Sequence, residues 1–140
     1  MRNLVFLIFI LSFVSCRHGK DRPDIRNIEV KTPVLRFEQE LFTLNPDTIP
    51  EAIDYFYRKY DDFYEIFNYY IVDLGQPSDR AYSGYLVLFI QDDLNREVFE
   101  AVNAKFGDLK SVENEFNKAF RYFRYYFPER KIPRLVSYIS

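Results

Sequence analysis

The apolar positions of this chain fall into three kinds of run. The first, Leu4 to Val14, is eleven residues with a single Ser and no charge; it follows a start bearing Arg2 and gives way after Cys16 to a polar stretch, Arg17 to Asn27. The second kind is short and rich in β-branched residues. Val34, Leu35 and Phe37 form one such run, which Pro33 confines to an edge strand at about 34 to 38, and Ile28 and Val30 mark an extended piece ahead of it. Arg134 to Ile139 is the other, predicting a strand that pairs with the first. The third kind recurs at steps of three and four. Ile53, Phe56, Tyr57, Tyr60, Phe63, Tyr64, Phe67 and Ile71 predict a helix, or two helices broken near Asp61-Asp62, ending by Gly75 and Pro77.

Shorter signals place the rest. Glu38 to Phe42 reads as a short helical segment. Thr48-Ile49-Pro50-Glu51 has the form of a capping box, in which hydroxyl and carboxylate each satisfy a free backbone donor. Leu86 to Ile90 is unbroken and apolar, so periodicity does not decide its type; helix is preferred because Asp92 or Asp93 then caps the next helix. That helix runs from Leu94 to about Phe106 with Leu94, Val98, Ala101, Val102 and Phe106 inward, and Gly107 stops it. Asp108 to Phe127 is the most regular helix. Its inward stripe is Val112, Phe116, Ala119, Phe120, Phe123 and Phe127, with Asn114, Asn117, Lys118, Arg121 and Arg124 outward, and Pro128 closes it. The expected fold is α+β and mainly helical, with three to four helices and a small sheet of two short strands. A strand ending on the last residue reads as the front part of a longer protein.

Composition narrows the classes. The 140 residues carry a net charge of −2, or −3 without the first 15 residues (18 basic, 21 acidic), too balanced for nucleic-acid binding. Residues 28 to 140 are expected to form one α+β domain, able to bury about two-thirds of the surface its unfolded chain exposes. The core must be aromatic, since there are 15 Phe and 12 Tyr but no Trp. Tyr buries a large ring yet needs a partner for its hydroxyl.

The leader run is too short for a bilayer crossing, which takes about 20 apolar residues. A basic start, a short apolar core and small residues after it match a secretory signal, residues 1 to 15. The one cysteine, Cys16, stands just past it. The arrangement resembles a bacterial lipoprotein signal, in which the peptide is cut before the cysteine and lipid joins its sulfur. Ser15 fits that pattern, whereas Phe13 stands where Leu is preferred. A mature lipoprotein carries two or three acyl chains, enough for stable anchoring. Residues 16 to 27 are then the lipidated cysteine and a polar tether, whose eleven residues after Cys16 reach at most about 35 Å. With Cys16 used for lipid, no cysteine remains for a disulfide or a thiolate metal site.

Val34-Leu35-Arg36-Phe37-Glu38 with Leu41-Phe42, the aromatic stretch Tyr60-Asp61-Asp62-Phe63-Tyr64 and Gly75 resemble the gliding-motility lipoprotein GldB family of Bacteroidota. So do Ala119-Phe120 through Tyr125-Tyr126-Phe127-Pro128, then Ile132-Pro133-Arg134 and Tyr138-Ile139-Ser140. The resemblance spans nearly the whole chain and implies a part in gliding and in the allied protein-secretion apparatus. It implies a membrane-held lipoprotein with envelope proteins as partners, on the inner or outer membrane and facing the periplasm. Arg17, rather than an acidic run, after Cys16 favours that side. Family members run to roughly twice this length, as if with a second domain. The family is also distantly like predicted zinc-dependent proteases, marked by His-Glu-x-x-His on a helix. That motif is absent here, where His18 of the tether is the only histidine.

The residues themselves supply no catalytic, metal or cofactor set, and no cofactor is expected. The pairs Asp61-Asp62 and Asp92-Asp93 do not share a helix face, so helix capping or plain solvation is the reading for both. Lys118, Arg121, Arg124, Arg130, Lys131 and Arg134 concentrate positive charge near the last helix, where a solvated face outweighs contact with anionic lipid or an acidic partner. Residues 55 to 70 pack a core in preference to lining a groove. Cys16, as a lipidation site, is the one site residue. A non-enzymatic envelope lipoprotein is the leading expectation; the front part of a metallopeptidase-like protein and a periplasmic binder of apolar ligands are the alternatives.

Overall fold

The computed structural model describes residues 22–140; the leader, Cys16 and His18 lie outside them. The described residues divide into two compact units, one holding residues 22–31 together with Asn117–Ile132, the other Thr32–Phe116 with Pro133–Ser140.

The larger unit opens with β1 (Val34–Arg36), which runs straight into α1 (Phe37–Phe42). A 3-10 turn (Pro46–Thr48) leads to α2 (Ile49–Tyr60), α3 (Asp62–Ile66) and a π-helical turn (Phe67–Ile71). Then come α4 (Tyr82–Gln91), α5 (Asp93–Phe106), the first half of α6 (Lys110–Tyr126), whose residues from Asn117 on belong to the smaller unit, and β2 (Leu135–Ser137). The fold is α+β and mainly helical, as expected, with six α-helices among the described residues where three to four were expected. The strands pair in parallel, Val34 opposite Leu135 and Arg36 opposite Ser137. Parallel neighbours need a long crossover, and here the intervening helices supply it. The edge amide of Val34 donates to Glu113 Oε1 at 2.9 Å, so the ribbon's first donor is satisfied by α6.

Phe37 sits at the centre of the core. Its ring lies 4.8 to 6.1 Å from those of Phe56, Tyr60, Phe63, Tyr64 and Phe67, all edge-on. Such T-shaped pairs set the positive ring edge against the negative face. Leu41, Phe42, Ile49, Ala52, Tyr82, Leu86 and Ile90 complete the buried set, which therefore comes from α1 through α4. The single residue Asp61 breaks α2 from α3, with φ +49°. The unbroken run Leu86 to Ile90 is indeed helical, and Asp92 caps α5 by accepting from the Asn95 amide at 3.0 Å.

Three local expectations are corrected. The capping box does not form, because Thr48 already has turn-like backbone angles and its hydroxyl donates back to the Asn45 carbonyl. Asn45 is the cap instead, accepting from the Asp47 amide at the start of the 3-10 turn. On α5, Leu94, Val98, Ala101 and Phe106 are exposed; Phe99 faces the core and stacks on Phe42 at 5.0 Å. On α6, Val112, Phe116, Ala119 and Phe127 are exposed, Phe120 and Phe123 are half-buried, and so are Asn117, Arg121 and Arg124. Four helices already close the core, so the last two add no fully buried side chain among the described residues.

Candidate functional site

The charged and hydroxyl-bearing groups of the larger unit gather in four places. At the junction of β1 and α1, Glu38 is buried to 2% exposure and accepts from Arg36 Nε and from Ser137 Oγ, the latter at 2.8 Å. One carboxylate thus ties the first strand, the first helix and the last strand together.

Two residues further along α1, Glu40 accepts from Lys59 Nζ at 2.6 Å, Tyr55 Oη at 2.8 Å and Tyr60 Oη at 2.9 Å. Tyr55 and Lys59 stand four residues apart on α2, one above the other on the same face, and Lys59 also donates to Tyr55 Oη. Burial pushes the Glu40 carboxyl up, but the bonds from Lys59, Tyr55 and Tyr60 outweigh it and hold the group below the usual carboxylate range. The bond to Glu40 raises the Lys59 ammonium above its ordinary value. Lys59 is therefore a fixed cation rather than a nucleophile at neutral pH, and Glu40 a fixed anion rather than an acid.

Inside the core, Tyr64 and Tyr82 share a hydroxyl–hydroxyl bond of 2.7 Å, and Tyr82 donates to Asn68 Oδ1 at 2.7 Å. Asn68, on the π turn, donates in turn to the Tyr64 carbonyl of α3 at 2.6 Å. Burial pushes the Tyr64 phenol up to about 12 and Tyr82 further in the same direction. These phenols stay protonated at any physiological pH and serve as hydrogen-bond partners.

The fourth place is the end of α2. Arg134 donates to the carbonyls of Lys59 at 2.9 Å and Tyr60 at 3.2 Å, and to Asp61 Oδ2 at 2.9 Å. A guanidinium at a helix C-terminus satisfies orphan carbonyls and meets the negative end of the helix dipole. Arg134 is therefore a structural cap, separate from the other five basic residues of its sequence cluster. Asp61 pairs with it, Asp62 starts α3, and Asp92 caps α5, so both acidic pairs belong to helix ends. The aromatic residues of 55 to 70 mainly pack the core, although Tyr55, Tyr69 and Tyr70 are exposed.

Among the described residues no group of three or more His, Cys, Asp or Glu side chains is placed to hold a metal ion, and no helix is long and apolar enough to cross a membrane. Two open clefts, of about 390 and 300 Å³, flank Gln39: one runs to Lys110 and Glu113, the other to Phe99 and Asn103. Neither contains a nucleophile held against a base. Glu38 and Glu40 went unremarked in the sequence as site residues. The spacing of Tyr55 and Lys59 hinted at a shared polar face, but nothing local named α1 as its partner.

These features define a helical α+β domain whose polar clusters act as ties within its own framework. The chain belongs to the gliding motility protein GldB family, whose model matches residues 18–140. Membership implies a gliding-motility-associated lipoprotein. Neither the curated proteins nor the solved structures give a match to the chain.

Proposed function

We propose that the chain is a non-enzymatic lipoprotein of the cell envelope, held to its membrane by lipid on Cys16 and supporting gliding or the associated secretion machinery through protein contacts. The family match carries this reading, and the leader ending at Cys16 supports the anchor. Side chains left outside the core support the contacts. On α4, Tyr85 and Leu88 are 53% and 67% exposed, and on α5 Leu94 and Val98 lie four residues apart at 67% and 40%. A helix as apolar as α4 is normally covered on all sides, so its bare face suits another protein of the envelope. In the polar clusters of the larger unit, Glu38, Glu40, Lys59 and Arg134 tie or cap its framework.

Cys16→Ala is expected to release the protein from the membrane fraction. Fractionation of that variant like wild type would overturn the anchor. Deletion of the gene is expected to reduce secreted protein.

A further inference from the structure

The smaller unit differs from the larger in charge and in what it exposes. Its described residues, 22–31 and 117–132, carry eight basic and three acidic side chains, a net of +5, while the larger unit carries eight basic and seventeen acidic, a net of −9. The positive charge is densest from Lys118 to Lys131, where Lys118, Arg121, Arg124, Arg130 and Lys131 meet one carboxylate, Glu129. At the end of α6, Tyr125, Tyr126 and Phe127 are 49%, 59% and 53% exposed.

This end is held in shape. Arg124 donates to the Pro128 carbonyl at 3.4 Å, Phe127 donates from its amide to Phe123, and Arg130 does the same to Phe127 at 3.0 Å. The rings of Tyr125 and Tyr126 meet edge-on at 5.1 Å, and Phe127 lies 5.2 Å from Phe123. The described part of the tether belongs to the same unit, and Arg26 and residues 28–31 share a cleft with Arg121.

We propose that the end of α6 and the turn after it, Tyr125 to Lys131, form a second contact with the membrane, seated on an anionic phospholipid surface. The inference rests on the Cys16 anchor proposed above. Rings with one polar end settle at the headgroup boundary, and flanking Lys and Arg reach the lipid phosphates. An acidic protein would answer the charge but leave three neighbouring rings without a role. A membrane uses both, and the tether brings one to the same unit. Each cation at such a surface strengthens binding by about fivefold.

The test uses the absence of Trp from the chain. Tyr126→Trp and, as a control on the other unit, Tyr70→Trp give full-length proteins with one tryptophan each, excited selectively beyond the tyrosine absorption. They are reconstituted into vesicles of phosphatidylethanolamine and phosphatidylglycerol with brominated acyl chains. The Tyr126→Trp emission should shift to the blue and be quenched by bromine, while the Tyr70→Trp emission stays unshifted and open to iodide. Equal behaviour of the two in membrane-bound protein would overturn the contact and leave the anchor standing. The Cys16→Ala chain isolates the contact from the lipid. It should prefer these vesicles to phosphatidylcholine ones, and lose about fivefold for each of Arg130→Gln and Lys131→Gln. No preference overturns the contact. So does a loss of function in the two Gln variants with unchanged vesicle binding, which would point to an acidic protein instead.

Discussion

The Ser137 hydroxyl donates to Glu38 Oε2 at 2.8 Å, a bond between residues 99 positions apart. It fastens β2 to the start of α1 while Arg36 holds the other carboxylate oxygen. Removing one partner of a buried ion pair strands the other, at a cost of about 3 to 5 kcal/mol, whereas a neutral hydroxyl donor contributes about 1 kcal/mol. Glu38→Ala is therefore expected to lower stability by about 3 kcal/mol and Ser137→Ala by about 1 kcal/mol. Urea unfolding midpoints of the two variants check this; equal losses would mean that the Arg36 pair contributes little.

Phe37 fills the centre of the aromatic core with no exposed surface. Phe37→Ala should cost about 3 to 5 kcal/mol, a large share of the roughly 5 to 15 kcal/mol that holds a domain together. Phe37→Leu retains most of the volume but none of the edge-on ring contacts, and should lose less. Thermal unfolding of both variants, compared with wild type, gives the ordering.

Much of this framework was legible in the sequence. The steps of three and four from Ile53 to Ile71 marked the helical stretch and left one helix or two broken near Asp61-Asp62 as the choice, because ring spacing and a polar doublet are local signals. The two strands were legible from their β-branched residues and Pro33. Which face of α5 turns inward was not. Leu94 and Val98 outweigh Phe99 by count, but one ring stacking on Phe42 decides the rotation of the helix, and Phe42 lies more than fifty positions away. The same holds for Thr48, whose cap-like spacing is overridden by the turn that Asn45 starts three residues earlier. The carboxylates of Glu38 and Glu40 stayed hidden for a related reason, since their partners come from β2 and α2.

Asp61 has φ +49° and ψ −136°, a region that favours glycine. Its side chain makes an exposed ion pair with Arg134, worth well under 1 kcal/mol as such pairs usually are. Asp61→Gly and Asp61→Ala lose that pair equally, so their difference isolates the backbone. Asp61→Gly is expected to be more stable than Asp61→Ala by about 1 kcal/mol or more. Chemical denaturation of the pair tests the point, and equal stabilities would refute it.

The pH dependence has two limbs. Burial raises the Tyr64 phenol from 10.0 to about 12. A raised folded value means that the stability it contributes is complete below pH 10 and is lost as pH climbs through about 12. Glu40 is shifted the other way. Its contribution is present above its ordinary value of 4.5 and fades as pH falls through the depressed one. Unfolding free energy should therefore be level through neutral pH and fall at both ends. Glu40→Gln should flatten the acid limb while leaving the alkaline limb in place, as followed by circular dichroism and phenolate absorbance.

The central claim is that this lipoprotein works from the membrane in support of movement or secretion. Surface spreading of a host strain lacking the gene, restored with either the wild-type chain or Cys16→Ala, tests it most directly. The account predicts reduced spreading on deletion, recovery with wild type and little recovery with Cys16→Ala. Undiminished spreading without the gene, together with undiminished secreted protein, would contradict it.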